Sequence, residues 1–429
     1  MYTLPYSKTE ITFDLLPGMK GTVICSQSMP PLADVSAEIN KALVRPINSA
    51  PLKEIAKKGD SVCIVFTDIT RACPDHLLIP PMLRELHKAG VRREDVTLLC
   101  GTGLHRPSTE DEKVTKLGAD VVESYRVVDN TPQDPANFVD LRRRENQAPM
   151  SVNRIAYEAD LLISTGIVEP HQYAGYSGGR KTLAIGAAGE GMIAYTHGPA
   201  MVDHPGTRLG IIEGNPFHDA IAESAKRARL RFILNVVLNE EQRPVAMRAG
   251  EPEAAFTQLV AVAQKVYTVP VPHEYDVVIG GVGFPKDTNL YQASRAASYI
   301  FFAPTPVVKK RGVIITPARC DEGAGSGVGE RRFYEELRSA PNVSALLRKM
   351  RREGYQAGAQ RAFMMAKVME VNPVVIVGAE HPDVVKDTKM VPAKTMTEAL
   401  EFAISHIGRP DLDVLIIPHA LLTLPHVRR

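Results

Sequence analysis

The feature that most constrains the fold of this chain is the alternation of short β-branched runs with amphipathic helical patterns. Apolar runs that end in small or turn-forming residues occupy 61–66, 96–100, 160–164, 276–280, 312–316, 373–378 and 414–417. Such runs are typical of strands that are buried on both faces of a parallel or mixed sheet. Helical patterns lie between them at 77–89, 217–227, 333–352 and 395–406. The alternation predicts the α/β class.

The length of the chain predicts more than one domain. The sequence has 429 residues, and a typical domain has about 100–200. The proline-rich segment 267–275 separates two series of strands and is the best linker candidate. We therefore predict an N-terminal domain over residues 1–270 and a C-terminal domain over 271–411. The tail, about 412–429, contains a final strand pattern. This strand could join the sheet of either domain, so a return to the first domain is one of the two alternatives.

Composition narrows the classes of partner. The 51 basic and 49 acidic residues leave a formal net charge of +2, so no charge excess indicates nucleic acid or an anionic membrane. No apolar run of membrane-spanning length and no secretion signal is visible. The five cysteines are widely spaced and include no C-x-x-C pair, which favours a reducing compartment. We expect a cytoplasmic protein that acts on a small molecule.

Polar side chains follow the predicted strands, at the sheet edge where ligands of open α/β sheets bind. Asp68 and Arg71 follow the first strand, His105 follows the second and His171 follows the third. Histidine moves protons near neutral pH because its unperturbed pKa is about 6.5. His105 and His171 are therefore candidates for an acid/base pair, although loop histidines also serve to satisfy backbone groups.

A glycine-rich loop follows the third strand and ends at Lys181. The segment 175–182, with Ser177 and Gly178 at its centre, would let backbone N–H groups approach a phosphate. Arg180 stands where a Walker A loop requires glycine, so an ATP-binding P-loop is disfavoured. A tight turn that leaves Lys181 as a solvated charge is the simpler alternative.

Further candidates lie beyond this loop. His197 could bind a transition metal, but its spacing from the neighbouring histidines matches no zinc signature. Gln292 and Arg295 are three residues apart and share a helix face, next to Tyr291. Arg71 and Arg295 each offer a planar fork for a carboxylate, and ion pairing is the ordinary alternative for both.

Taken together, the motifs resemble the nickel-pincer lactate racemase family. They are DITR at 68–71, GTGLHRP at 101–107, EPHQYAGYSGGRK at 169–181, THG at 196–198 and the YQ-x-x-R element at 291–295. They run in the family's order through nearly the whole chain. The resemblance implies two α/β domains with an active-site cleft between them. It also implies a pyridinium mononucleotide that holds nickel through two sulfur-bearing arms and a ring carbon.

The resemblance assigns a role to each candidate. Lys181 would carry the nickel-pincer nucleotide covalently, His197 would complete the nickel coordination, and the loop at Ser177 and Gly178 would help bind the cofactor. Asp68 would position the cofactor. His105 and His171 would be the acid/base pair. The substrate would contact the following residues: Arg71, Tyr291, Gln292 and Arg295.

The implied reaction is racemisation or epimerisation of a 2-hydroxy acid through hydride transfer to the cofactor and back. Lactate-acting members carry lysine where this chain has Arg295, and a tryptophan that this chain lacks. We therefore expect a bulkier or more polar substrate than lactate. The expected partners are the enzymes that build the cofactor and insert nickel. The alternatives are an aldonate epimerase with the same cofactor, a nucleotide-binding phosphotransferase, and a non-catalytic cofactor carrier.

Overall fold

The chain forms two compact units, each built around its own sheet. The computed structural model describes residues 1–142 and 148–428. The central unit comprises Ser28–Thr196 and Ile212–Val266, and the terminal unit comprises Met1–Gln27, His197–Ile211 and Tyr267–Arg429. Among the described residues, no helix combines the length and apolarity that a membrane crossing requires. The predicted α/β class is confirmed.

The central unit contains a six-stranded mixed sheet. In spatial order its strands are Pro244–Gly250, Phe232–Leu238, Leu161–Ile167, Val62–Thr67, Val96–Gly101 and Arg126–Asp129. Only the first pair is antiparallel. All residues of Val62–Thr67 and Leu161–Ile167 are buried, as the apolar runs predict for strands covered on both faces.

Helices and short segments complete the central unit. The helices are Val35–Val44, Leu52–Ile55, Asp75–Lys88, Glu110–Leu117, Ala119–Ser124, Arg154–Glu158, Gly179–Lys181, Glu190–Thr196, Pro216–Arg227 and Pro252–Tyr267. Two 3₁₀ turns, Arg93–Asp95 and Pro135–Asn137, and a π-helical turn, Thr182–Gly186, lie among them. Small antiparallel pairs join Phe138–Asp140 to Ser151–Asn153 and Pro170–His171 to Gly175–Tyr176.

The terminal unit contains a six-stranded parallel sheet. Its strands, in spatial order, are Val391–Ala393, Val374–Val377, Val308–Pro317, Tyr275–Gly280, Asp413–Ile417 and Lys20–Val23. A hairpin of Tyr2–Tyr6 with Thr9–Phe13 and a parallel pair of Thr268–Val271 with Leu424–Val427 complete its strands. The helices are Pro199–Asp203, Leu290–Ala293, Arg295–Phe301, Val328–Ser339, Val343–Glu353, Gln360–Val371, Pro382–Asp387 and Met396–Ile407.

The tail of the chain does not return to the central sheet. Asp413–Ile417 pairs with Tyr275–Gly280 on one side and with Lys20–Val23 on the other, Lys20 lying opposite Asp413. The N-terminal segment therefore joins the second sheet, which the division into 1–270 and 271–411 did not anticipate. The reason is that ladder hydrogen bonds can join strands that are far apart in the sequence.

The helical pattern predicted over 333–352 is two helices. Val328–Ser339 ends before Pro341, which has no N–H to donate to a continuing helix. Asn342 then starts Val343–Glu353, because its side-chain oxygen accepts a hydrogen bond from the Ala345 N–H at 2.9 Å. By contrast, the predicted helix over 395–406 forms as Met396–Ile407 and ends at Gly408 in the left-handed conformation, φ 88°.

Candidate active site

Two of the predicted site residues meet where neighbouring strands of the central sheet end. Asp68 follows Val62–Thr67, and His105 lies in the loop after Val96–Gly101. The two strands are parallel neighbours with Thr67 opposite Gly101. His105 Nδ1 lies 2.5 Å from Asp68 Oδ2, and the Thr70 hydroxyl donates to Asp68 Oδ1 at 2.8 Å. The loops therefore bring an imidazole and a carboxylate into direct contact.

The Asp68–His105 contact fixes the chemistry of both groups. Burial alone would raise the pKa of Asp68, but its hydrogen bond with His105, together with the charges of His105 and Arg71, holds that pKa below its usual value. An ionised Asp68 accepts the proton on Nδ1 of the imidazole, so Nε2 of neutral His105 carries a lone pair. The His105 side chain is 48% exposed and that of Asp68 only 7%. The exposed member of the pair is thus the one that can take up a proton.

A buried ion pair between Lys116 and Asp75 stabilises the loop that carries Asp68. Lys116 Nζ lies 2.7 Å from Asp75 Oδ2, and their side chains are 7% and 0% exposed. The hydroxyls of Thr67 and Thr165 donate to the same carboxylate at 2.6 and 2.5 Å, and Lys116 also donates to the Cys73 carbonyl at 2.6 Å. The pair therefore ties two strand ends and the intervening loop together.

Replacing Lys116 with methionine tests the strength of this network. The change leaves a buried carboxylate without its cation, so we expect the free energy of unfolding to fall by about 3–5 kcal/mol. Urea denaturation of the apoprotein measures it. Lys41→Met is the control, because Lys41 is 67% exposed beside Glu38 and should lose less than about 1 kcal/mol. Equal losses for the two variants would contradict a structural role for the buried pair.

Backbone N–H groups contact the imidazole of His171. It lies in the short strand Pro170–His171, which pairs with Gly175–Tyr176. The backbone N–H groups of Tyr173 and Ala174 donate to His171 Nδ1 at 3.3 and 3.2 Å. A neutral imidazole that accepts at Nδ1 carries its proton on Nε2. In this arrangement His171 is a donor at Nε2, whereas His105 is an acceptor there.

The glycine-rich loop packs backbone to backbone against the strand Leu161–Ile167. A Cβ on Gly166 would lie 2.5 Å from the Gly179 nitrogen, and one on Gly178, whose φ is 151°, would lie 2.9 Å from the Phe256 ring. The Ser177 hydroxyl donates to the Ile167 carbonyl at 2.6 Å. These contacts hold the turn that leads into Gly179–Lys181 and the following π-helical turn, an element that occurs often at functional sites.

Gly166→Ala should disturb this turn selectively. Because the new methyl group would overlap backbone that cannot rotate away, we expect the free energy of unfolding to fall by about 1–3 kcal/mol. Gly191→Ala is the control, since the nearest atom to its added Cβ is 3.8 Å away. Chemical denaturation of both variants compares them. A Gly166→Ala protein as stable as the control would show that the turn can move at no cost.

Lys181 is the most chemically unusual residue of the loop. Desolvation of its amino group, followed by the positive charge of Arg71, lowers the pKa of Lys181 to about 7, although Asp68 and Glu169 act in the opposite direction. The residue as a whole retains partial solvent access. Among the described residues it forms no ion pair with a carboxylate. Near neutral pH a large fraction of this amine is therefore uncharged and nucleophilic.

Arg180, which sequence reasoning treated only as a mismatch to a P-loop, is a buried anchor. Its guanidinium pairs with the Glu253 carboxylate and lies 4.0 Å from the centre of the Phe256 ring. Its Nη2 is 3.5 Å from Nε2 of His218. Burial, and then the charge of Arg180, lower the pKa of His218 to about 4, so this imidazole stays neutral. The two adjacent residues of the loop therefore differ in role: Arg180 is anchored by its contacts, whereas Lys181 is reactive.

Arg71 belongs to the central unit, and four other predicted residues belong to the terminal unit: His197, Tyr291, Gln292 and Arg295. His197 begins the segment His197–Ile211, and its carbonyl accepts a hydrogen bond from the Tyr355 hydroxyl at 2.6 Å. Arg295 Nη1 lies 3.5 Å from Gln292 Oε1. The two side chains are therefore neighbours, although they belong to two separate short helices, Leu290–Ala293 and Arg295–Phe301. Among the described residues, no group of three or more His, Cys, Asp or Glu side chains could hold a metal ion. The roles of these residues stay predictions.

The fold and the motifs together define an α/β protein with a histidine-containing site at the carboxyl ends of parallel strands, and comparison with known proteins identifies its family. Residues 6–210 match the lactate racemase N-terminal domain, and residues 272–423 match the lactate racemase C-terminal domain. The chain belongs to the lactate racemase family. Membership supports a racemase, and therefore an isomerase, as the class of enzyme.

Similar proteins match along nearly their whole length. The chain is 30% identical over 418 residues to a lactate racemase of Thermoanaerobacterium thermosaccharolyticum, covering 97% of this chain and 96% of the relative. It is 31% identical over 428 residues to one of Lactiplantibacillus plantarum, covering 97% and 98%. The structure of the Thermoanaerobacterium apoprotein superposes with a TM-score of 0.87 at 29% identity, covering 100% and 99%. A Thermotoga maritima protein, with a TM-score of 0.66 at 16% identity, covering 92% and 97%, shares the fold.

Proposed function

We propose that this protein racemises or epimerises a 2-hydroxy acid by reversible hydride transfer, using a nickel-pincer nucleotide attached to Lys181. The observation that carries the proposal is the lowered pKa of Lys181, about 7. The charge of Asp68, which is in contact with His105, acts on this amine. A charged surface lysine would be a poor nucleophile at neutral pH, whereas an uncharged amine can form a covalent link.

The residues present fit such a cofactor. The uncharged amine of Lys181 supplies the point of attachment, and the turn at Ser177 and Gly178 supplies closely packed backbone before it. A pincer group brings its own sulfur and carbon donors, so it requires one protein ligand where a bare ion requires several. We assign that ligand to His197, because imidazole is a good ligand for nickel. When bound, the group supplies a reversible acceptor for the hydride on C2 of the substrate.

The protein's own residues would manage the proton and the carboxylate. His105 Nε2 would take the hydroxyl proton, and ionised Asp68 would stabilise the imidazolium that results. His171, whose Nδ1 accepts from two backbone N–H groups and so leaves Nε2 as the proton-bearing nitrogen of the neutral ring, would deliver a proton to the oxygen on the other face. Arg71 would hold the carboxylate next to the reacting carbon, since a guanidinium binds it through two hydrogen bonds. Asp68 therefore supports the acid/base residue in addition to any contact with the cofactor.

We further propose a substrate other than lactate. The half-buried residues Tyr291, Gln292 and Arg295 would contact it, and Arg295 adds several hydrogen-bond donors. The sequence has no tryptophan. An aldonate epimerase with the same cofactor is the second candidate, and a panel of short, dicarboxylic and sugar-derived 2-hydroxy acids distinguishes the two. Cytoplasmic enzymes that make the cofactor and insert nickel would be the partners.

Deuterium transfer tests the reaction type. The holoenzyme, produced together with a complete cofactor pathway, is incubated with 2-deuterated 2-hydroxy acids, and the product is analysed by chiral chromatography and mass spectrometry. Hydride transfer through the cofactor predicts inverted product that retains deuterium at C2. Inverted product that has exchanged its deuterium for solvent hydrogen would refute hydride transfer and indicate direct removal of a proton. Loss of phosphate from ATP without inversion would favour the phosphotransferase alternative.

A further inference from the structure

Arg361 is a buried cation with no acidic partner among the residues that the structure describes. It is the second residue of the helix Gln360–Val371 and is only 5% exposed. Within residues 1–142 and 148–428 its guanidinium pairs with no carboxylate. Its contacts are the Tyr291 ring, at 5.0 Å from the ring centre, and the Ser298 hydroxyl, at 3.5 Å from Nη1. Its Nε is buried and makes no hydrogen bond within those residues.

The position of Arg361 adds to this unbalanced charge. Gln360–Val371 has 12 residues, and its N-cap residue, Ala359, makes no side-chain hydrogen bond to the first turn. The N-terminal end of a helix carries a partial positive charge, so the charge of Arg361 adds to it and is not offset by it. A buried charge that is neither paired nor fully hydrogen-bonded is costly, and proteins rarely keep one without a function.

Arg180 shows how the same chain stabilises a buried arginine that has a structural role. Arg180 is 3% exposed, but it pairs with the Glu253 carboxylate and stacks on Phe256. Arg361 has the aromatic contact but no carboxylate partner within the described part of the chain. The difference between the two sites is therefore a missing anion, which a ligand can supply.

The surroundings of Arg361 connect it to substrate recognition. Tyr291 lies on the helix Leu290–Ala293, and Ser298 lies on the helix Arg295–Phe301. The same two helices carry Gln292 and Arg295, which together with Tyr291 are the proposed substrate contacts. Tyr291 is only partly buried, so a ligand that reaches it can approach the guanidinium behind it.

We infer that Arg361 binds a second carboxylate of the substrate, which makes the substrate a 2-hydroxy dicarboxylic acid. The inference rests on the proposed function, in which Arg71 holds the carboxylate next to the reacting carbon. A planar guanidinium matches a carboxylate through two parallel hydrogen bonds, and a neutral amide of the same shape cannot replace that charge. Arg361 is thus a residue that determines specificity at the end of the substrate remote from the reaction.

The test compares malate with its 4-amide, malamate, as substrates of the holoenzyme. We expect kcat/KM to favour malate by about 10- to 100-fold, as for a hydrogen bond to a charged group. Arg361→Gln should reduce this preference to near one, because glutamine carries no charge to pair with the second carboxylate of malate. Arg361→Lys, which keeps the charge but loses the planar fork, should retain part of the preference. Arg348→Gln is the control, since Arg348 is exposed on a neighbouring helix.

The outcomes separate this inference from the proposed function. Racemisation with equal use of malate and malamate by the wild type, or an unchanged preference in Arg361→Gln, overturns the role of Arg361 and leaves the reaction type intact. Failure to invert any 2-hydroxy acid overturns the proposed function itself. If Arg361→Gln does not fold, as judged by thermal denaturation, the preference of the wild type and its decrease in Arg361→Lys decide the question.

Discussion

Lys181→Ala will carry no covalent nucleotide and will have no measurable racemase activity, even when it is produced with a complete cofactor pathway. The reason is that alanine removes the only atom through which the proposed link can form. Digestion and mass spectrometry of the peptide that contains residue 181 measure the modification, and chiral analysis measures activity. Lys265→Ala is the control because Lys265 is an exposed lysine of the same unit. It should retain both the nucleotide and the activity.

The unmodified amine has a pH signature of its own. Since the pKa of Lys181 is lowered to about 7, the fraction of uncharged amine rises as the pH rises through 7 and then levels off. An ordinary lysine becomes uncharged only near its usual pKa of about 10.4. Acylation of the apoprotein by a small amine-reactive reagent should therefore be half-maximal near pH 7 at Lys181. An unmodified Lys181 in a host that modifies another family member would refute the attachment. If Lys181 instead became reactive only at the alkaline pH of an ordinary lysine, its lowered pKa, which is the physical basis of the proposal, would be refuted.

His105→Ala should lower kcat by about 10²- to 10⁴-fold, the usual contribution of a positioned acid or base. The covalent nucleotide should remain, because the proposed attachment is to Lys181 and not to His105. Asp68→Asn keeps the shape of the carboxylate but removes its charge, so the imidazolium loses its stabilisation and the proton on Nδ1 loses its charged acceptor. We expect a loss of about 10²-fold for this variant.

Measuring nucleotide content together with kcat makes this prediction specific. A His105→Ala enzyme with full nucleotide content and nearly normal turnover would exclude His105 as the base. Loss of the nucleotide from Asp68→Asn would instead support the cofactor-positioning role that the family resemblance assigns to Asp68. His76→Ala serves as the control, because His76 is exposed on the helix Asp75–Lys88 near the same loop.

The parts of the fold that the sequence predicted depend on local patterns. The strands Val62–Thr67, Val96–Gly101 and Leu161–Ile167 form close to the predicted apolar runs, because a continuous β-branched run has few other stable environments. Lys20–Val23 was missed because all four residues are exposed and no alternation marks them. Its place depends on its pairing with Asp413–Ile417.

The site also has parts that the sequence predicts and parts that it does not. The position of Asp68 and His105 follows from the rule that ligands bind at the carboxyl ends of parallel strands, and their contact agrees with it. The pairs Asp75 with Lys116 and Arg180 with Glu253 join residues 41 and 73 positions apart. No local pattern marks such pairs, since either partner alone reads as an ordinary surface charge. The same holds for Arg361, because its lack of a carboxylate partner among the described residues is visible only after the chain has folded.

The pairing of Lys20–Val23 with Asp413–Ile417 has a consequence for synthesis on the ribosome. Lys20–Val23 is made before every other strand of its sheet, and its partner Asp413–Ile417 is made after them all. This edge of the parallel sheet can therefore form only after residues 413–417 have left the ribosome. The central unit, in contrast, has all of its strands once Pro244–Gly250 has emerged. Premature termination before residue 413 would therefore release a chain with a complete central sheet and a terminal sheet that lacks two adjacent strands.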